Sequence, residues 1–271
     1  MKIILVIGSH PRHIYFANQV IDQFSNTSVI IEDRGPMLKK VNKNLNKLDK
    51  DNLIKHFKER SRAEYKYFSK SKINIKSKKN LLYIKKLTKE SSKVIKLINI
   101  RKPNILITFG CGVISEPLLS KLPKSSLNFH TGLLPYFKGT AGNFWPYYFL
   151  KPNYIGITIH RIEKKLDGGS IIHQSVPKLS KSDGIHDIAC KAILKGVADL
   201  KKILIKYSDG KRPIYIDQKK SGKLFLDKDF KPHHLRLIYS YFNNDLAKFY
   251  LNNQLQKDIP TTISVRYEQK N

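Results

Sequence analysis

The sequence predicts an α/β protein with a Rossmann-like, mostly parallel sheet and a small C-terminal α+β appendage. Residues 2–7 form a continuous apolar run that ends in a Gly-led turn, and a helical pattern of apolar side chains follows over residues 14–24. Residues 28–32 then predict a second strand. Strand, turn, helix and strand in this order are the opening of a parallel α/β sheet.

The segment after the second predicted strand is strongly basic. We expect a helical insertion over about residues 39–80, with a helix near residues 53–68 and a polar loop over residues 70–80. A solvated surface is the simplest interpretation of this insertion, and a lid or a docking surface is the alternative. A further helix is predicted over residues 87–99, and Pro103 stops it.

The second half of the chain continues the alternation of strands and helices. An apolar run predicts a buried strand at residues 105–109, and further strands are predicted at residues 126–130, 155–162 and 170–176. A short helix is predicted over residues 115–122, and a long one over residues 183–206 with Ser182 or Asp183 as its cap.

The pattern changes near residue 210. Short strands at residues 213–217 and 223–226 precede a helical segment near residues 233–242. Because no repeat and no Pro- or Gly-rich linker marks a second large domain, we predict one main domain over residues 1–209 and an appendage over residues 210–271.

The chain carries a large positive charge. Its 51 Lys and Arg against 21 Asp and Glu give a formal net charge of +30, which suggests nucleic acid, an anionic membrane or a phosphorylated small molecule as partner. Nucleic-acid footprints favour Arg, which is scarce here, so no stable nucleic-acid partner is expected. Codon bias of an AT-rich genome explains the excess of Lys equally well.

Cysteine usage and the N-terminal run indicate a cytoplasmic protein. Cys111 and Cys190 are far apart and have no metal-ligand spacing, so neither a disulfide framework nor a zinc site is expected, and no other cluster predicts a metal. The opening apolar run is too short for a signal peptide or a membrane span, so no membrane insertion is expected.

Three polar residues, Asn128, His130 and Asp167, stand at predicted strand ends, where open parallel sheets place their ligands. Asn128 and His130 are two residues apart on an extended segment, so their side chains share one face. Amide and imidazole groups stabilise the oxyanion of an acyl transfer, and an imidazole held by a carboxylate accepts the proton of an attacking amine. Taken singly, each residue is more often a turn or strand-edge residue.

Other chemistries lack their motifs. GxGxxG after the first strand, GxxxxGK[ST] and GxSxG are all absent, which disfavours NAD, ATP and serine-nucleophile chemistry. Transfer without a covalent enzyme intermediate is therefore favoured.

The surrounding motifs resemble a known family. They are Asn128-Phe-His130, Leu133-Leu-Pro135, Lys138-Gly139, Gly156-Ile-Thr-Ile-His160 and Leu166-Asp-Gly-Gly169. In this order they resemble the 10-formyltetrahydrofolate-dependent formyltransferases, which include methionyl-tRNA formyltransferase, glycinamide ribonucleotide transformylase and the sugar N-formyltransferases. The chain departs from the family at Thr131-Gly132, where Pro-Ser commonly follows the His.

The resemblance implies roles for these residues and 10-formyltetrahydrofolate as co-substrate. Asn128 and His130 would bind the formyl oxygen, and Asp167 would orient or charge His130 and help to relay the proton of the amine. The folate-binding residues expected are Phe109, Gly110, Cys111, Gly112, Val113, Leu133, Gly139, Ile162, Glu163 and Leu166. The acceptor-binding residues expected are Ser9, His10, Arg12, His13, Thr131, Lys138, Thr140, Asn143, Trp145 and His160.

The predicted acceptor follows from two features of known family members that this sequence does not show. Too few strands follow the long helix to close the barrel of a tRNA enzyme, and the turn after the first strand departs from the phosphate loop of the ribonucleotide enzyme. We therefore expect the amine of a nucleotide-linked amino sugar destined for a surface polysaccharide, such as the O-antigen of lipopolysaccharide. The alternatives are formylation of tRNA through the basic region, formylation of glycinamide ribonucleotide, and a non-catalytic folate- or nucleotide-binding module.

A homodimer is expected from the same resemblance. Residues 213–242 are the predicted interface, although these residues can equally serve to cover the sheet edge.

Overall fold

The computed structural model describes residues 1–38, 41–69, 72–75, 77–219 and 222–269. Residues 39, 40, 70, 71 and 76 of the predicted insertion and its polar loop lie outside the described residues. The strands are β1 Ile3–Gly8, β2 Thr27–Glu32, β3 Leu81–Ile84, β4 Ile105–Phe109, β5 Ser126–Thr131, β6 Phe137–Gly139, β7 Ile157–Arg161, β8 Ile171–Ser175 and β9 Lys223–Phe225. The helices are α1 Pro11–Gln23, α2 Lys47–Phe68, α3 Ser91–Arg101, α4 Phe144–Tyr148, α5 Ile185–Ser208 and α6 Leu246–Leu251, and a π-helix spans Arg236–Tyr241.

Seven of these strands form one sheet in the order β3-β2-β1-β4-β5-β7-β8. Neighbours from β3 to β5 are parallel, whereas β7 runs antiparallel to both β5 and β8. The strand order reverses beside β1, because the chain leaves β3 at one edge and returns to β4 on the other side of β1. The predicted Rossmann-like, mostly parallel sheet is confirmed. The sequence did not predict β3 or β6, which are four and three residues long.

Helices cover both faces of the sheet, and side-chain alternation along β1 separates two apolar layers. Leu5 belongs to the layer shared with α1, α2 and α5, whereas Val6 belongs to the layer shared with α3. On the first side, Phe16 of α1 packs against Phe109 and Phe129 with ring centroids 5.2 and 5.0 Å away. Burying a ring of this size contributes about 2–3 kcal/mol.

The C-terminal residues lie against the main sheet and against the segment after β5. Strand β9 pairs with β6 in a second sheet, and Ile216 exchanges two backbone hydrogen bonds with Ile171 of β8. The π-helix packs on α2, where Arg236 donates to Asp49. The boundary at residue 210 stays a prediction.

Some predicted elements in the first half were wrong in extent. Helix α3 begins at Ser91 rather than at residue 87, because Leu87 is buried and its backbone N–H donates to Glu32 instead. The helix predicted over residues 115–122 is a single 3-10 turn at Leu119–Lys121, since prolines at both ends leave no room to extend it.

Corrections also apply to the second half. The cap of α5 is Gly184, because the Asp183 carboxylate accepts from the backbone N–H of Ser180 and pairs with Lys191. The strand predicted over residues 213–217 forms only isolated bridges, and the predicted helix near residues 233–242 is the shorter π-helix. Within the described ranges, no helix combines the length and the apolar character needed to cross a bilayer.

Candidate active site

The catalytic candidates lie on one face of β5. Leu127 and Phe129 point into the layer of α1 and α5, so Asn128 and His130 project from the opposite face. Asn128 is in register with Thr108, the last residue but one of β4, and His130 is only 6% exposed. Asn128 therefore lies beside the carboxyl end of β4, a parallel strand, which is the kind of position the sequence predicted.

Asp167 is not at the carboxyl end of a parallel strand, which is where the sequence predicted it. It follows β7, which runs antiparallel and ends in register with Leu127 near the start of β5. The loop over residues 162–169 therefore folds back across the sheet. It brings Asp167 Oδ1 to 3.6 Å from Nδ1 of His130, 3.6 Å from Nε2 of His160 and 3.5 Å from Nδ2 of Asn128.

The Asn128 amide has a fixed orientation. Its Oδ1 accepts a 2.8 Å hydrogen bond from the hydroxyl of Thr108. Its Nδ2 lies 3.1 Å from Nε2 of His160, the residue opposite Asn128 on β7. His160 Nδ1 donates to the carbonyl of Arg161 at 2.8 Å, so its Nε2 is an acceptor when the ring is neutral. One hydrogen of Nδ2 is thus held by His160, and the other makes a long 3.5 Å hydrogen bond to Asp167 Oδ1.

His130 is arranged as a proton acceptor. Its Nε2 donates to the carbonyl oxygen of Phe137 at 3.1 Å, because a carbonyl can only accept. Burial lowers the pKa of His130 and outweighs the opposite influence of the Asp167 charge. The ring is therefore neutral near pH 7, with the lone pair of Nδ1 directed towards the carboxylate.

Asp167 is arranged to remain ionised. Burial raises the pKa of its carboxyl, but the facing imidazoles of His130 and His160 and a 2.7 Å hydrogen bond from the backbone N–H of Gly139 bring it down to about 2. The site thus combines a fixed carboxylate, a neutral imidazole and an amide donor.

The predicted folate residues fall into three groups. The side chains of Phe109 and Leu133 lie in the core, 2% and 0% exposed. Partly exposed are Cys111, Gly112, Gly139 and Ile162, and exposed are Gly110, Val113, Glu163 and Leu166. Desolvation raises the pKa of the Cys111 thiol to about 12, so this thiol stays protonated and is a poor nucleophile.

The predicted acceptor residues after β1 divide in the same way. Ser9 and His10 remain partly exposed on the turn, whereas Arg12 points inwards and pairs with Glu64 of α2. His13 is 5% exposed and fills the space between Gly8 and Gly110. A Cβ at Gly110 would lie 2.2 Å from His13 Nε2, so this close approach requires glycine.

The other predicted acceptor residues lie on the segment from the last residue of β5 to strand β7. Thr131, Lys138 and Thr140 are partly exposed. Asn143 and Trp145 are 8% and 3% exposed, and the Asn143 amide and Trp145 Nε1 have no hydrogen-bond partner among the described residues. Trp145 stacks on Phe225 of β9 with ring centroids 4.3 Å apart, so its ring packs in the core. Of this group, His160 lies closest to the catalytic candidates.

Sequence reasoning missed a cleft that is separated from this site by β1 and β4. It has a volume of about 700 Å³ and lies at the carboxyl ends of β2 and β3. Its lining is Ser9, Ile31, Asp33, Tyr83, Ile84, Lys85, Glu90 and Lys93. The sequence did not indicate the cleft because it did not predict β3. That strand carries Tyr83, whose side chain is 63% exposed.

Sequence reasoning also missed two supporting residues. Thr108 orients Asn128, and a polar residue near the end of an apolar strand was the available signal. Gln218 donates to the backbone of Asp167, and nothing in the sequence indicates a contact across 51 residues.

Comparisons with known proteins identify the family of the chain. The sequence model of the family described as "Formyl transferase" matches residues 26–196. The bifunctional polymyxin resistance protein ArnA of Wigglesworthia glossinidia brevipalpis is 31% identical over 133 residues, which cover 48% of this chain and 20% of that protein. The chain thus matches about a fifth of the length of this curated relative.

Solved structures share the fold. The formyltransferase PseJ from Anoxybacillus kamchatkensis, in complex with UDP-4,6-dideoxy-4-formamido-L-AltNAc and tetrahydrofolate, has a TM-score of 0.53 at 19% identity and covers 91% of this chain and 96% of its own. Phosphoribosylglycinamide formyltransferase from Anaplasma phagocytophilum has a TM-score of 0.52 at 14% identity and covers 83% and 97%. At these identities the two structures establish the fold alone. Since the family model covers well over half of the residues, the chain belongs to the formyl transferase family.

Proposed function

We propose that the protein is an N-formyltransferase that moves a formyl group from 10-formyltetrahydrofolate to the amine of a nucleotide-linked amino sugar. One observation carries the proposal. In a chain of this family, Asn128 and His130 both lie within 3.6 Å of the same carboxylate oxygen of Asp167. 10-Formyltetrahydrofolate supplies the formyl group as a co-substrate.

The geometry supports direct attack of a neutral amine on the formyl carbon. Asn128 Nδ2 turns its second hydrogen from the long 3.5 Å contact with Asp167 to the formyl oxygen as negative charge develops there. His130 Nδ1 accepts the proton that the amine loses, and Asp167 stabilises the resulting imidazolium. His130 then returns the proton to the folate nitrogen as the bond from that nitrogen to the formyl carbon breaks.

This mechanism refines the role predicted for His130. Its Nε2 hydrogen is held by the Phe137 carbonyl, which favours proton transfer at Nδ1 over donation to the formyl oxygen. Cys111 takes no part, because its thiol is protonated.

The proposed folate site is the partly open wall beside the catalytic face. Gly110 to Val113 follow β4 on one side, and Ile162 to Leu166 precede Asp167 on the other. Val113 and Leu166 are 58% and 42% exposed, and apolar surface of this kind suits a planar aromatic ring system.

The nucleotide of the acceptor is assigned to the cleft at β2 and β3. The exposed ring of Tyr83 offers a stacking surface for a base, Asp33 can accept from ribose hydroxyls, and Lys85 can pair with a diphosphate. Strands β2 and β5 are three positions apart, about 14 Å at the spacing of neighbouring strands. That span suits an extended nucleoside diphosphate sugar whose amine reaches His130.

Glycinamide ribonucleotide is the second candidate acceptor, because the Anaplasma phagocytophilum enzyme shares the fold over 97% of its chain. That small ribonucleotide would leave the cleft at β2 and β3 without an occupant. The remaining assignments, a cytoplasmic homodimer that serves surface polysaccharide synthesis, follow from the same proposal and stay predictions.

The test is turnover of purified protein with 10-formyltetrahydrofolate and a panel of nucleotide-linked 3-amino and 4-amino sugars, glycinamide ribonucleotide and methionyl initiator tRNA. We expect formylated nucleotide sugar and tetrahydrofolate by mass spectrometry. Turnover of the ribonucleotide or the tRNA, with none of any sugar, refutes the assigned acceptor.

A pair of histidine variants tests the assigned site. We expect His130→Asn to abolish turnover. His173→Asn is the matched control, because it disrupts a comparable pair with Asp199 at 3.2 Å outside the proposed site and is expected to keep turnover.

A further inference from the structure

The turn that carries Asp167 has an unfavourable backbone conformation. Asp167 has φ of +49°, in the left-handed region that residues other than glycine rarely adopt. Such a conformation persists only where the surroundings hold it in place. The contacts that hold this turn therefore also control where the Asp167 carboxylate points.

Gln218 holds this turn from the C-terminal segment. Its Nε2 donates one hydrogen to the backbone carbonyl of Asp167 at 2.8 Å and the other to that of Gly169 at 2.7 Å. Because carbonyl oxygens only accept, the orientation of the amide is fixed. One side chain thus joins the two carbonyls that flank the turn.

The segment carrying Gln218 is itself fixed along the loop. Ile216 and Ile171 exchange two backbone hydrogen bonds of 2.9 and 2.8 Å. Asp217 Oδ1 accepts from the Ser170 hydroxyl at 2.7 Å. These contacts leave the Gln218 amide little freedom relative to the turn. The turn lies within the region that the family model matches, whereas Gln218 lies 22 residues beyond the end of that region.

We propose that Gln218 is a positioning residue for formyl transfer, which holds Asp167 in the conformation that keeps its carboxylate 3.6 Å from Nδ1 of His130. The proposal rests on the proposed function. It assigns the C-terminal segment a part in the reaction, in addition to covering the sheet.

The position of Asp167 affects the proton affinity of His130. Asp167 from the turn and His160 from β7 are the titratable groups that act on it, and the carboxylate favours the imidazolium. If loss of the Gln218 donor lets Asp167 retreat by about 1 Å, at an effective dielectric constant of about 20 the pKa of His130 falls by about 0.7 unit.

The experiment compares the full-length protein with Gln218→Ala and Gln218→Met. The Met variant keeps the length of the side chain and removes only its polar end, so it serves if the Ala variant does not fold. Lys219→Ala, at the exposed neighbouring residue, is the control. The pKa of His130 is measured by NMR on histidine-labelled protein, with His130→Asn assigning its signal among the nine histidines.

We expect the pKa of His130 to fall in both Gln218 variants, with kcat about 10- to 100-fold lower and KM for both substrates within about 2-fold. Lys219→Ala is expected to match the wild-type protein. An unchanged pKa of His130 in both Gln218 variants, or a loss confined to KM, overturns the positioning role. If the pKa of His130 falls in the Gln218 variants but the wild-type protein formylates no acceptor, Gln218 positions Asp167 and the proposed function is refuted.

Discussion

Asp167→Asn isolates the electrostatic contribution of the carboxylate. Asn is nearly the same size, and it tolerates the left-handed backbone that Asp167 adopts at φ +49°. The Asn side-chain oxygen can still accept from the backbone N–H of Gly139, so the turn is expected to keep its shape. The charge facing His130 is removed, and a neutral NH2 donor takes the place of the carboxylate oxygen that faces it.

The expected loss follows from the distance between the charges. At 3.6 Å and an effective dielectric constant of about 20, carboxylate and imidazolium attract each other by about 4–5 kcal/mol. Since about 1.4 kcal/mol corresponds to a tenfold change in rate, kcat is expected to fall by about three orders of magnitude.

Stopped-assay measurement of tetrahydrofolate release gives kcat, and thermal unfolding with folate binding checks that the variant is folded and loaded. A variant that is folded, binds folate and keeps kcat within about tenfold of wild type refutes the assignment of Asp167 as the partner of a protonated His130.

Three further predictions concern other parts of the molecule. Burial raises the pKa of Glu64, but Arg12 and Arg60 lower it from 4.5 to about 2. The ionised Glu64 carboxylate therefore stabilises the fold by roughly 3 kcal/mol above the pKa of the unfolded state, and this stabilisation is lost as pH falls towards 2. Between pH 7 and pH 3, the free energy of unfolding measured in urea should change less for Glu64→Gln than for the wild-type protein. Cys111→Ser should leave kcat unchanged, because the protonated thiol takes no part, and a loss beyond about tenfold would contradict direct transfer. Tyr83→Ala should raise KM for the nucleotide sugar about tenfold with kcat maintained, which steady-state kinetics measures, and an unchanged KM would move the nucleotide out of the cleft.

The alternation of strands and helices was predictable from local pattern. The apolar runs of β1 and β4 are buried on both faces of the sheet, so each gives a continuous signal. The short strands β3, β6 and β9 depend on partners from distant parts of the chain, and the sequence predicted only β9. Helix α3 begins further along the chain than predicted for a similar reason, because the backbone N–H of Leu87 donates to Glu32 from another strand.

The sequence by itself determined that Asn128 and His130 share a face, because the two-residue period of an extended strand is a property of the backbone. Only the tertiary structure decided that Asp167 meets them, since β7 ends near the start of β5 and the following loop must cross the sheet to return. Only the tertiary structure brings Gln218 to that loop, through strand-edge contacts between segments about 50 residues apart. Local pattern specifies the direction of a side chain, whereas its partners depend on how distant segments pair and pack, which single-chain periodicity does not encode.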